Sequence, residues 1–229
     1  MRTIVLCVVA LAVAAPAGFA QPCTPFFDQA EFEAFNKAEG KHLQGVETFE
    51  ESNIPQYGKQ PLPAPLDQSP NTVFGIGFPN GLEQNLVIWD NVTPGPNPPD
   101  LNPSGSPQAL YVIGPGFFFA TSKKVGGDLF MEASLDVVFT DARPTGFPDA
   151  RSTGVGLELS WFFLRAGWHV SIYDGQNQTI GLFEFPGPPG PEPETAFFGV
   201  WCEQTIGRIN IYDDAGPFPN AIDNVEMWM

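Results

Sequence analysis

The sequence predicts an all-β fold, an antiparallel β-sandwich or jelly roll of about twelve strands with a short N-terminal helix. Three observations predict it. Apolar and polar residues alternate over long stretches, the two-residue period of a strand with one buried face. Glycine and proline, 24 and 25 of 229 residues, interrupt those stretches at short intervals. Successive strands also lack the helical crossovers that a parallel sheet requires.

Taken in order, residues 1–20 read as a signal peptide. Arg2 supplies the charge, Ile4 to Ala15 is apolar, and Gly18-Phe19-Ala20 places small residues before the cut. The apolar run is shorter than the roughly 20 residues of a spanning helix, so the mature chain is expected to carry no integral membrane segment. Residues 21–42 form an N-terminal segment with the short helix. Asp28 is its N-cap, Glu31 completes a capping-box spacing, Phe32 and Phe35 share a face, and Gly40 ends it. Residues 43–229 form the sandwich domain.

Within that domain the clearest strand signal is Leu129, Met131, Ala133, Leu135, Val137 and Phe139, all at odd positions. They predict one long half-buried strand. Val155, Leu157, Leu159 and Trp161 repeat the pattern, as do Trp168, Val170 and Ile172. Further strands are expected at 43–50, 72–78, 85–92, 108–113, 116–121, 178–185, 195–203, 206–213 and 220–228. The proline-rich stretches 94–107 and 186–193 are expected to be stiff surface loops that cannot join a ladder.

Composition bounds the function. With 10 Lys+Arg against 26 Asp+Glu the formal net charge is −16, which argues against a nucleic-acid partner because phosphate binding needs basic residues. Hydrolase, zinc and phosphate-loop motifs are missing, so no catalytic constellation is found. His169 alternates with Trp168 and Val170 and is expected to point outward beside Ser171 and Tyr173. Cys7 leaves with the leader. Cys23 and Cys202 then remain, either as two thiols or, in an oxidising compartment, as a disulfide tying the N-terminal segment to a late strand.

Two further groups of residues invite a functional reading. Asp223 alternates with Val225 and Met227 and is expected on their core-facing side, where a carboxylate is costly unless paired or bound to a cation. First and last strands are often neighbours in sandwiches, which would bring Glu50 near Asp223 as a hard-oxygen pair suited to calcium. The alternative is that Asp223 hydrogen-bonds a turn at the start of its strand. Tyr173 and Trp228, with Trp201, are candidate flat platforms for sugar rings; the alternative is packing, for example beneath the N-terminal helix.

Several segments together resemble bacterial exported proteins of the PEP-CTERM-associated type. They are Ala30 to Phe35, Thr48-Phe49-Glu50, Ser134 to Phe139, Val170 to Gly175, Ile206 to Ile211 and Ile222 to Met227. The sorting tag itself is absent, since Pro191-Glu192-Pro193 is internal. The Phe-Glu start and Asp-Asn-Val finish are also similar to jelly-roll carbohydrate-binding modules. That resemblance implies a structural calcium held by Glu50 and Asp223. The expected function is a secreted or cell-surface, non-catalytic protein that binds extracellular polysaccharide or surface matrix. A structural or adhesive protein with protein partners is the alternative, and a carbohydrate-active enzyme the third reading.

Overall fold

Strands whose alternate residues are apolar can bury them only against a second layer, and here two antiparallel sheets enclose one core. The structure is a computed structural model that describes residues 23–55, 58–62, 66–82, 86–91, 110–113, 129–131, 134–139, 152–161, 168–176, 178–185, 194–213 and 220–229. The elements before residue 100 are β1 (Cys23–Phe26), α1 (Gln29–Ala38), β2 (Leu43–Glu47), β3 (Lys59–Leu62), β4 (Asn71–Val73), β5 (Ile76–Phe78) and β6 (Leu86–Asn91). There follow β7 (Leu110–Ile113), β8 (Leu129–Met131), β9 (Ser134–Phe139), β10 (Gly154–Trp161) and β11 (Trp168–Asp174). The last four are β12 (Thr179–Phe185), β13 (Glu194–Cys202), β14 (Ile206–Asp213) and β15 (Asn220–Trp228).

The eight-stranded sheet runs β1-β13-β10-β15-β8-β7-β3, with β2 also paired to β15; the five-stranded sheet runs β12-β11-β14-β9-β6. A separate hairpin, β4–β5, stands beside them. The antiparallel sandwich expected from the alternation is therefore the fold, with some more strands than the dozen anticipated. The signal peptide, the strand at 116–121 and both proline-rich stretches lie outside the described residues. Among the described residues no helix is long and apolar enough to cross a membrane.

The core takes Val155, Leu157, Leu159, Phe198, Val200 and Ile222 from the larger sheet, and Val170, Ile172, Ile209, Ile211 and Ile88 from the smaller one. Each such side chain stabilises the fold by about 1.5–3 kcal/mol relative to exposure. One expectation is corrected. Residues 129–139 are not a single strand: β8 pairs with β15 and β7, whereas β9 pairs with β14 and β6 in the opposite sheet. Parity hid the change. Leu129 pairs with Ile222, and Leu135 and Val137 pair with Ile211 and Ile209, so odd positions fall on core rows in both sheets. The strand at 43–50 likewise ends early, at Glu47, where Phe49 turns left-handed at φ 54°.

Helix α1 forms as its caps predict. The Asp28 side chain accepts from the Glu31 amide at 2.9 Å, and Gly40 follows the helix at φ 72°. β1, missed because it is four residues long, is the edge strand beside β13. In that register Cys23 lies directly opposite Cys202, and the two are joined in a disulfide. The bond spans 179 residues of sequence, so it removes much of the freedom of the unfolded chain. Replacing both cysteines by serine is expected to lower unfolding stability by about 2–5 kcal/mol, read from urea denaturation with and without reductant; the reductant should then no longer affect the variant.

Candidate functional site

The two sheets present different outer faces, and the sequence-predicted site residues are divided between them. On the eight-stranded sheet the outer face is taken by α1. Gly156 and Gly199 lie opposite each other on β10 and β13, and a Cβ on either would come within 2.9 Å of the Phe32 ring. Two missing side chains thus make the seat for one aromatic. Phe32 is fully buried there, edge-on to Trp228 at 6.2 Å and tilted against Phe26 and Phe197.

Trp228 and Trp201 belong to this helix interface. Trp228 is 2% exposed, and Lys37 of α1 stands 5.7 Å above its ring. Trp201 meets Phe35 edge-on at 5.3 Å. The expectation that Trp228 is an open platform is corrected, because outward-facing residues on this sheet face a helix rather than water. That was the packing alternative, and glycines alternating with Val155 and Leu157 were its signal in the sequence.

Asp223 is placed differently from its expectation. Between the pairs Gly156↔Glu226 and Glu158↔Asp223 the register shifts, so Asn224 and Val225 together oppose Leu157. Asn224 is left-handed at φ 48°, the conformation of a β-bulge. The extra residue reverses the alternation: Ile222, Val225 and Met227 are core residues, whereas Asp223 faces outward opposite Glu158. Asn224 then bridges the two carboxylates, its Nδ2 donating to Glu158 Oε2 at 3.0 Å and Asp223 Oδ2 at 3.2 Å. Its backbone N–H donates to Asp223 Oδ1 at 2.8 Å.

The first long strand and the last are neighbours, as expected: β2 pairs with β15, with Glu47 opposite Val225. Glu50 lies three residues beyond that pair, in the turn after Phe49. Glu47 is fully buried, and its Oε1 accepts from the Phe49 amide at 3.0 Å. Both Asp223 oxygens accept from Asn224, whose side-chain amide occupies the place between Asp223 and Glu158. Among the described residues no group of three acidic, histidine or cysteine side chains is gathered to hold a metal.

Glu226 joins α1 to β15. Its carboxylate accepts from Gln29 Nε2 and, at 3.1 Å, from the Trp228 indole N–H. Burial lifts its pKa above the ordinary carboxylate value; the bonds from Trp228 and Gln29 pull it down, and the charges of Glu33 and Glu158 push it up again.

The five-stranded sheet presents the second face. His169, Ser171 and Tyr173 alternate with core residues on β11, and Arg208 and Asn210 do so on β14. Tyr173 pairs with Arg208, whose guanidinium carbon sits 3.7 Å over the ring. The ring is 1% exposed, so Tyr173 too is not the open platform expected. Its hydroxyl and the Ser171 hydroxyl are buried, and neither finds a hydrogen-bond partner among the described residues. Leaving such a group unpaired costs about 1–3 kcal/mol each. At the β12 edge of this face Leu182, opposite Ser171, is exposed, and Glu184 Oε1 lies 3.5 Å from His169 Nδ1. His169 points outward beside Ser171 and Tyr173, as the alternation predicts.

No protein-family model matches the sequence, and no curated protein matches it. Among solved structures, a cleaved adhesin domain of Lys-gingipain is similar at TM-score 0.46 and 11% identity, covering 83% of this chain and 99% of that one. A mutant of the carbohydrate-binding module CBM29-2 is similar at TM-score 0.33 and 13% identity, covering 63% of this chain and 92% of the module. A second mutant of that module, complexed with mannohexaose, is similar at TM-score 0.32 and 11% identity, covering 82% and 92%. At these scores the likenesses carry no ligand over to this chain.

The Glu226 arrangement makes a signed prediction. A folded-state pKa above the unfolded value means that the folded protein holds the proton more tightly, so this contribution to stability is present at low pH. It is lost as pH rises from the unfolded pKa through the folded one. Subtracting the pH profile of Glu226→Gln from that of the parent, between about pH 4 and about pH 7, should leave this falling component; parallel profiles would mean that folding leaves the Glu226 pKa unshifted, the two hydrogen bonds cancelling the effect of burial.

Proposed function

We propose that this chain is a non-catalytic extracellular binding protein whose ligand is a polysaccharide that approaches the five-stranded sheet from its β12 edge, where Leu182 and Glu184 are exposed. One observation carries the reading. Ser171 and Tyr173 keep two hydroxyls without an internal partner, on the side of the sheet away from the core, beside Arg208 and Asn210; all four residues are at most 3% exposed, so a ligand reaches them only from the edge of the sheet. A fold that had no use for those hydroxyls would be more stable with Ala and Phe in their places. Sugar hydroxyls donate and accept together, and so match a mixed set of hydroxyl, amide and guanidinium groups. The leader and the disulfide support an exported setting.

The hydrolase reading is weaker. Two carboxylates that cleave a glycosidic bond must flank the sugar, whereas Glu158 and Asp223 are bridged by the Asn224 amide.

Tyr173→Phe tests the proposal directly. Removing an orphan hydroxyl should leave the thermal midpoint unchanged or raised, while affinity for a bound polysaccharide falls about five- to tenfold, the worth of one hydrogen bond. Unchanged affinity, measured by affinity electrophoresis over a polysaccharide panel, would reduce the hydroxyl to a packing defect. A separate measurement decides the ion. If Glu50 and Asp223 hold the calcium that the resemblance implies, calcium added to chelator-treated protein should raise Tm and Asp223→Ala should abolish the rise; an unchanged Tm would remove the ion.

A further inference from the structure

The β4–β5 hairpin turns through Phe74 and Gly75, both left-handed at φ 52° and 81°. A two-residue turn with both residues left-handed favours Asn-Gly or Asp-Gly. A bulky aromatic residue at such a position is strained. The side chain gains nothing from burial either, being 99% exposed. Neither turn chemistry nor the core accounts for a phenylalanine here.

The mount beneath it is rigid. Asn53 donates through its backbone N–H to the Gly77 carbonyl at 2.9 Å and through Nδ2 to the Gly75 carbonyl at 2.7 Å. Its Oδ1 accepts from the Gly77 amide at 2.7 Å. Phe78, at the hairpin's foot, is buried edge-on against Phe49 at 6.4 Å. At Gly77 a Cβ would lie 2.5 Å from the Asn71 carbonyl oxygen and 2.7 Å from Leu62, so the hairpin sits hard against β3. The exposed ring is therefore displayed by a fixed support, with little ordering left to do on contact.

The surroundings select the partner. From Gln68 to Leu82 the sequence contains no charged residue, in a chain of net charge −16. The hairpin itself thus carries no basic group for an anionic lipid or nucleic acid and no acidic one for a cationic protein; Asp67, which accepts from the Ser69 amide, lies before its foot. Near the turn the hairpin offers amide and hydroxyl: Asn53, bonded to the Gly75 carbonyl, and Thr72, exposed two residues before Phe74. A flat apolar ring among neutral hydrogen-bonding groups suits a pyranose, whose C–H face lies on the ring while its hydroxyls reach the rim. The hairpin follows Leu66, which bridges to Ile88 of β6. The hairpin itself packs on β3, the last strand in the order of the eight-stranded sheet.

We propose that Phe74 is a stacking platform for a neutral polysaccharide, a second contact beyond the face that carries Ser171 and Tyr173. This rests on the polysaccharide reading above and narrows it to uncharged chains. The test uses the mature protein with soluble β-glucan, galactomannan and polygalacturonate, comparing the parent with Phe74→Asn, Phe74→Trp and Tyr173→Phe. Asn suits the left-handed turn, so Phe74→Asn should fold with an unchanged or higher Tm. Its affinity for a neutral polysaccharide should fall about tenfold, while Phe74→Trp keeps it. If the parent binds a neutral polysaccharide and Phe74→Asn binds it equally well, the platform is wrong and the sheet-face reading stands or falls on Tyr173→Phe. Binding of polygalacturonate alone overturns the neutral-ligand inference but not the wider reading. No binding by the parent overturns both. If Phe74→Asn instead abolishes self-association, or partition onto phosphatidylcholine vesicles, with glycan binding intact, the occupant is a second copy or a lipid surface and the proposal fails.

Discussion

The fold depends on the bulge at Asp223 and Asn224. One side of β15 pairs along its length with β10. The other side is shared end to end: β8 pairs with residues 220–222 and β2 with residues 225–228. The bulge falls at the junction. It lets one strand serve two successive partners on one edge while keeping Ile222 and Val225 both in the core. A straight β15 would turn one of these two segments inside out, because a shift of one residue exchanges the faces of a strand. Asn224 is suited to the position twice over, tolerating the left-handed backbone and supplying the amide that separates Glu158 from Asp223.

The two outer faces then diverge in role. Glycines at 156 and 199 allow α1 to lie close, which buries Phe32 and draws Trp201 and Trp228 into a helix interface. That face is used up by the protein itself. The five-stranded sheet has no corresponding helix among the described residues, and it keeps buried hydroxyls that the fold leaves without partners.

Much of the fold was legible because its signals are local. The Asp28 cap, the position of Gly40 and the alternation in β10, β11 and β14 are decided within a few residues. The cysteine pair was legible from compartment and count. The bulge was not: a single left-handed asparagine leaves the apolar pattern of Val225 and Met227 intact while displacing Asp223 to the other face. The division of 129–139 was hidden for a related reason, since parity is the same in both sheets. The aromatic platforms failed on exposure rather than on alternation. Trp228 and Tyr173 do leave the core side, but Phe32 and Lys37 meet one and Arg208 the other, contacts between segments far apart in sequence. Phe74, the most exposed ring among the described residues, went unnoticed because the alternating run around it reads as one strand rather than a hairpin.

The central position of β15 has a consequence for the order of assembly. Its three partners, β2, β8 and β10, all precede it in the chain. During synthesis each of them emerges and waits, with an open edge, for the same nine residues. Vectorial folding from the N-terminus cannot complete the larger sheet, and a product truncated before residue 220 would expose unpaired ladders at the middle of the sandwich rather than at its rim.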